Sequence, residues 1–68
     1  MCDMDGKKLA ERMQENGLTQ AALAKKAGCT QQTVSYILNG KRQPRVEIAR
    51  AIAEALGCKV DDLLKDPA

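Results

Sequence analysis

Histidine, tryptophan and phenylalanine are absent from the 68 residues, and Tyr36 is the only aromatic. Without histidine the chain lacks the side chain that most often serves as general base or metal ligand near neutral pH. Three cysteines are present, Cys2, Cys29 and Cys58, odd in number, widely spaced and without a CxxC pair. That pattern excludes a zinc site, and no metal or cofactor is expected. Cys29 and Cys58 stand where a small buried apolar residue would serve, and they read as structural thiols. The opening MCDMDGKK has no apolar signal core, and no run is long enough to span a membrane. A reducing, cytoplasmic setting follows. There is no Gly-rich phosphate loop, no serine in a nucleophile elbow and no carboxylate in the central stretch, so an enzyme is not expected. Asp61 and Asp62 adjoin each other, but they sit at a helix start, where acids favour the dipole. No alternating β-branched run exists, which leaves an all-α class.

Acidic residues are missing from one interval in particular. Between Glu15 and Glu47 there is none, while Lys25, Lys26, Lys41, Arg42 and Arg45 place five positive charges there. Asp3, Asp5, Glu11 and Glu15 precede the interval; Glu47, Glu54, Asp61, Asp62 and Asp66 follow it. The net charge of +2 hides this arrangement. Cations without neighbouring carboxylates suit a partner that is itself a dense line of phosphate charge.

Inside that interval lies the stretch around which the chain is organised, LTQAALAKKAGCTQQTVSYILNGKRQP, from Leu18 to Pro44. It reads as two short helices joined by a tight turn. Leu23, Ala24 and Ala27, then Val34, Ile37 and Leu38, recur at the spacing of one helix face. Thr19 and Thr30 stand at N-cap positions, and Gly28 falls where a helix ends in a left-handed residue. Ala24 is small at the place where a crossing helix would need room. Such a pattern is a helix-turn-helix, whose second helix enters a DNA major groove. If Val34, Ile37 and Leu38 point inward, then Gln32, Ser35, Tyr36 and Asn39 point outward, with Gln31 at the helix start. A glutamine amide matches the paired acceptor and donor of adenine.

Around this centre the chain forms one small domain, residues 1–68, with residues 1–4 and 66–68 expected to be disordered. A first helix is expected from about Asp5 to Asn16, with Leu9 and Met13 on one face and Asn16-Gly17 as its stop. The second and third helices cover about Gln20–Ala27 and Gln31–Asn39. Pro44 stands at or just before a fourth helix, where its missing amide hydrogen is harmless. Ile48, Ala49, Ile52 and Leu56 give that helix its buried stripe, and Gly57 ends it. A short fifth helix is expected from Val60 or Asp61 to Leu64.

LTQxxLAxxAG, an apolar residue and threonine, NGKRxP and the ALG ending of the fourth helix together resemble the lambdoid phage repressor and Cro type of helix-turn-helix domain. The resemblance covers residues 5–65. It implies a compact, lambda-repressor-like five-helix domain that binds double-stranded DNA and regulates transcription, as a repressor does, with a homodimer on a palindromic operator. By position, Gln20 resembles the residue that touches a phosphate and braces the recognition helix, with Thr19 beside it on the same backbone. Gln31 and Gln32 match positions that read base edges, and Ser35 and Tyr36 match the next outward turn. Asn39, Lys41, Arg42 and Arg45 match the phosphate-contacting loop.

TQQ is similar to a subgroup that reads A·T-rich half-site ends, but Tyr36 replaces a glutamine of that subgroup. The ring suits a thymine methyl, and the hydroxyl suits a phosphate. A second departure places apolar Met13 and Leu38 where many members pair an arginine with an acid, an exchange that spares the desolvation of two charges. Gly57, Cys58, Lys59, Val60, Leu63 and Leu64 are the candidate dimer contact, although the apolar three equally suit a role in closing the core. The alternative function is a helix-turn-helix that binds protein, such as an antitoxin or a transcriptional bridging factor.

Overall fold

Asp5 opens the first helix through its own side chain: Oδ1 accepts from the Lys7 amide at 2.9 Å, satisfying a donor that a helix start leaves open. The computed structural model describes residues 4–65. In it α1 runs Gly6–Glu15, α2 Gln20–Ala27, α3 Gln31–Leu38 and α4 Val46–Leu56. The expected bounds of α1 and α3 therefore each included cap residues, Asp5, Asn16 and Asn39. Among the described residues there are four α-helices and no strands, with a single 3₁₀ turn, Val60–Leu63, where a fifth helix was expected. The turn stops because Leu64 is extended (φ −79°, ψ 154°), so only i→i+3 bonds form, such as Leu64 N to Asp61 O at 3.4 Å. Asp62 closes its start by accepting from the Lys59 amide at 3.1 Å.

Leu64 is extended because it pairs with the chain's beginning. Met4 and Leu64 form an isolated antiparallel bridge, the Asp5 amide donates to Leu63 O at 2.8 Å, and Lys8 Nζ donates to Leu64 O at 2.9 Å. Met4 is 1% exposed and belongs to the core, which corrects the expectation of disorder over residues 1–4 at that residue. Residues 1–3 and 66–68, where the remaining disorder was expected, lie outside the described residues.

The core collects one face from each helix: Leu9 and Met13, Leu23, Ala24 and Ala27, Val34 and Ile37, then Ala49, Ile52, Ala53 and Leu56, closed by Leu63. Burying each large aliphatic residue among these contributes about 1.5–3 kcal/mol. Ile48, expected in the α4 stripe, is half-buried and packs against the core, and Ala53 joins the stripe as a further buried residue. Small Ala24 is buried on α2, which packs against both α3 and α4. Gly28 ends α2 at φ +73°, a conformation only glycine adopts without strain, and lets the chain reverse into α3 within three residues. At the far end Asn16 Nδ2 donates to Arg12 O at 2.8 Å and Leu56 O at 3.3 Å, joining the C-terminal ends of α1 and α4.

Two details complete the frame. A Cβ placed on Gly6 would overlap the Leu38 carbonyl oxygen and lie 2.8 Å from its carbon, so the start of α1 rests directly on the end of α3. Cys29 and Cys58 are half-buried, and burial pushes both thiols up from their ordinary value. For Cys58 the Arg12 charge opposes that shift and Asp62 adds to it.

Candidate nucleic-acid interface

Thr30 fixes where α3 begins. Its Oγ1 accepts from the Thr33 amide at 3.1 Å and lies 2.9 Å from the Thr33 hydroxyl. With the start fixed, Val34 and Ile37 turn into the core, 0% and 1% exposed, and Leu38 is half-buried. Gln31 and Gln32 are then exposed on the opposite side, with Ser35 and Tyr36 half-buried on the next turn and Asn39 exposed at the end. The outward set read from the sequence therefore shares one side of α3.

Two of these side chains meet. Gln32 Nε2 donates to the Tyr36 hydroxyl at 2.7 Å, an i,i+4 pair along the outer face. Asn39 is partly engaged in closing the helix: its Nδ2 donates to Ser35 O at 2.9 Å and reaches Ser35 Oγ at 3.5 Å. The Lys41 amide bonds Tyr36 O at 2.9 Å and turns the chain into the basic loop. Tyr36, Lys41 and Arg42 line one recess of about 380 Å³. Lys41, Arg42 and Arg45 also line a neighbouring cleft of about 620 Å³ with Thr33, Ile37, Gln43, Pro44 and Ile48. Tyr36, on the outer side of α3, thus borders the basic loop.

Lys25, Lys26, Lys41, Arg42 and Arg45 are all exposed, and among the described residues no carboxylate pairs with any of them. Arg12 and Glu15, 4.0 Å apart on the exposed side of α1, are a surface pair that contributes little. Arg45 is exposed and holds the N-cap position of α4 without a side-chain cap bond.

At the start of α2, Thr19 Oγ1 caps the helix by accepting from the Ala22 amide at 3.1 Å. Gln20 is half-buried and lines a recess of about 360 Å³ together with Thr19 and the apolar pair Met13 and Leu38. Gln43 is the residue that sequence reasoning missed. Although it sits among Lys41, Arg42 and Arg45, its Oε1 turns inward and accepts from the Met4 amide at 2.7 Å, anchoring the basic loop. A partner 39 positions away leaves no signal in local spacing.

The six candidate dimer residues separate by exposure. Gly57 and Lys59 are exposed, and Cys58, Val60 and Leu64 are half-buried. Leu63 is 0% exposed, so it closes the core and offers no contact surface, a correction to its place in that set. Among the described residues no group of three potential metal ligands gathers, and no helix is long and apolar enough to cross a membrane.

Residues 9–63 match the Helix-turn-helix family model. An uncharacterised HTH-type transcriptional regulator of Methanocaldococcus jannaschii is 42% identical over 48 residues, 71% of this chain and 73% of that one. The crystal structure of the P22 c2 repressor in complex with a synthetic operator superposes with a TM-score of 0.84 at 32% identity, over 88% of this chain and 91% of the other. The restriction-modification controller protein C.AhdI from Aeromonas hydrophila gives 0.82 at 27% identity, over 87% and 89%. With its capped α2, left-handed Gly28 and outward-facing α3, the chain belongs to the helix-turn-helix family and has the fold of a phage repressor DNA-binding domain.

Proposed function

We propose that this protein is a sequence-specific, repressor-like regulator of transcription that lays α3 in the major groove of double-stranded DNA. The exposed glutamines at the start of α3, with the exposed and uncompensated cations of the loop that follows it, carry this reading. Gln31, Gln32, Ser35 and Tyr36 face base edges. Thr19, Gln20, Asn39, Lys41, Arg42 and Arg45 follow the phosphates, which position the domain without carrying sequence. Selection of bound sequences from randomised duplexes tests the reading, with enrichment of a palindrome expected. A protein-binding module would return no consensus and a binding constant that barely changes with salt, whereas a DNA reader loses affinity steeply.

Lys41 and Arg42 follow a helix end that borders the groove, so Arg42→Ala is expected to weaken all duplexes about equally. The slope of log K against log salt falls by about one unit. A changed base preference with an unchanged slope would contradict the phosphate assignment.

One eight-residue recognition helix spans few base pairs, so the reading includes a two-fold dimer on a palindrome, with half-sites about 34 Å apart. Gly57, Cys58, Lys59, Val60 and Leu64 supply the contact at the end of α4 and the turn after it. Sedimentation with a palindromic duplex should give two protomers per duplex, and a strict one-to-one complex sinks the dimer.

A further inference from the structure

We infer that Gln43 is a positioning residue for DNA binding: by accepting from the Met4 amide it holds the basic loop in the shape that meets the phosphates. The inference rests on the phosphate role of Lys41, Arg42 and Arg45 proposed above, and it assigns to that role a residue that acts through the loop. At one end of the loop the Lys41 amide bonds Tyr36 O at 2.9 Å; at the other the Arg45 carbonyl receives the Ala49 amide at 2.9 Å. Between those two points the chain has no regular structure. Among the described residues it makes a single hydrogen bond there, from the Met4 amide to Gln43 Oε1 at 2.7 Å.

That bond has only one orientation. A backbone N–H donates and cannot accept, so Gln43 must turn its oxygen toward it. Met4 is 1% exposed, and its amide would be left without a partner, away from water, if Gln43 withdrew. The anchor is itself fixed. Met4 bridges Leu64, the next amide, that of Asp5, donates to Leu63 O at 2.8 Å, and Met4 belongs to the core. Gln43 is half-buried and Pro44 beside it is buried, while Lys41, Arg42 and Arg45 around them are exposed. The loop is thus pinned at its middle and carries its cations on the pinned backbone. A loop ordered in advance spares the entropy of ordering it on DNA, and one backbone residue so fixed corresponds to about tenfold in affinity.

Duplex binding by the full chain tests this in wild type, in Gln43→Met, in a synthetic chain with an ester oxygen in place of the Met4 N–H, and in the two changes combined. Methionine keeps the length of the glutamine stem without its acceptor, and the ester deletes the donor while leaving every side chain. Each single change should weaken a selected palindrome and random duplexes by the same factor, about tenfold, with base preferences unchanged. The combination should lose no more than either one alone. In the free protein the Met4 amide should exchange slowly with solvent in the wild type and about tenfold faster or more in Gln43→Met. Affinities are referred to the folded fraction measured by circular dichroism. A lower melting temperature with unchanged affinity of the folded protein overturns the role, since the bond would then serve the fold alone. Losses that add in full overturn it too, as does weakening by Gln43→Met but not by the ester, which would make Gln43 a direct DNA contact. A wild type whose affinity scarcely changes with salt overturns the DNA-reading role as well; in every other failure the wild-type slope stays steep, which separates the two.

Discussion

Gly6→Ala is expected to lower the stability of the domain although alanine is the better helix former. On propensity alone the change adds about 0.5–1 kcal/mol to α1. Against that, the new methyl group overlaps the Leu38 carbonyl, a backbone atom at the end of α3 that cannot rotate aside. Overpacking of this kind costs about 1–3 kcal/mol and occasionally more, so the steric term wins. A domain of this size has roughly 3–5 kcal/mol in all, and each kilocalorie moves the midpoint by about 4–8 °C. Thermal unfolding followed by circular dichroism should show a drop of that size, and an unchanged or raised midpoint would remove the close approach from the account. Because α3 carries the reading surface, the residual folded protein should also bind DNA less well, as its recognition helix is displaced.

Gly6 also shows where sequence reading stops. The positions that specify a helix start or stop were legible because their partners are near in sequence. Thr19 reaches Ala22, Thr30 reaches Thr33 and Asp62 reaches Lys59, each three residues away. The inward face of α3 was legible for the same reason, through the spacing of Val34 and Ile37. Gly6 meets Leu38, Gln43 meets Met4, and Met4 pairs with Leu64; none of these contacts has a local period. Met4 in particular is a lone apolar residue beside two aspartates, with nothing around it to suggest burial. The Gln32–Tyr36 bond stands between the two cases. Its spacing of four was visible, but glutamine and tyrosine on a helix surface are also compatible with separate roles, and only the placed side chains join them.

The loss of base discrimination on Gln31→Ala should be the largest single effect on sequence reading. Gln31 is the first residue of α3, exposed, at the end of the recognition helix that such domains set against base edges. Its amide matches adenine, which offers N7 as acceptor and N6 as donor, so an A·T pair is expected at the outer end of each half-site. Truncation should remove about 1–3 kcal/mol of preference at that one pair, roughly 5- to 150-fold. The competing view is that Gln31 merely caps its helix. That office is already filled: Thr30 Oγ1 receives the Thr33 amide at 3.1 Å, so the helix start does not need the glutamine. A solvent-exposed substitution with no capping duty should change stability by no more than about 0.5 kcal/mol. General affinity should persist, since Lys41, Arg42 and Arg45 remain exposed to follow the phosphates. Binding to duplexes varied one pair at a time, with wild type and variant side by side and the fold checked by circular dichroism, decides between the views. A folded Gln31→Ala protein with an unchanged preference profile would refute the assignment, whereas loss confined to one pair, with the salt slope intact, is the signature of a base contact.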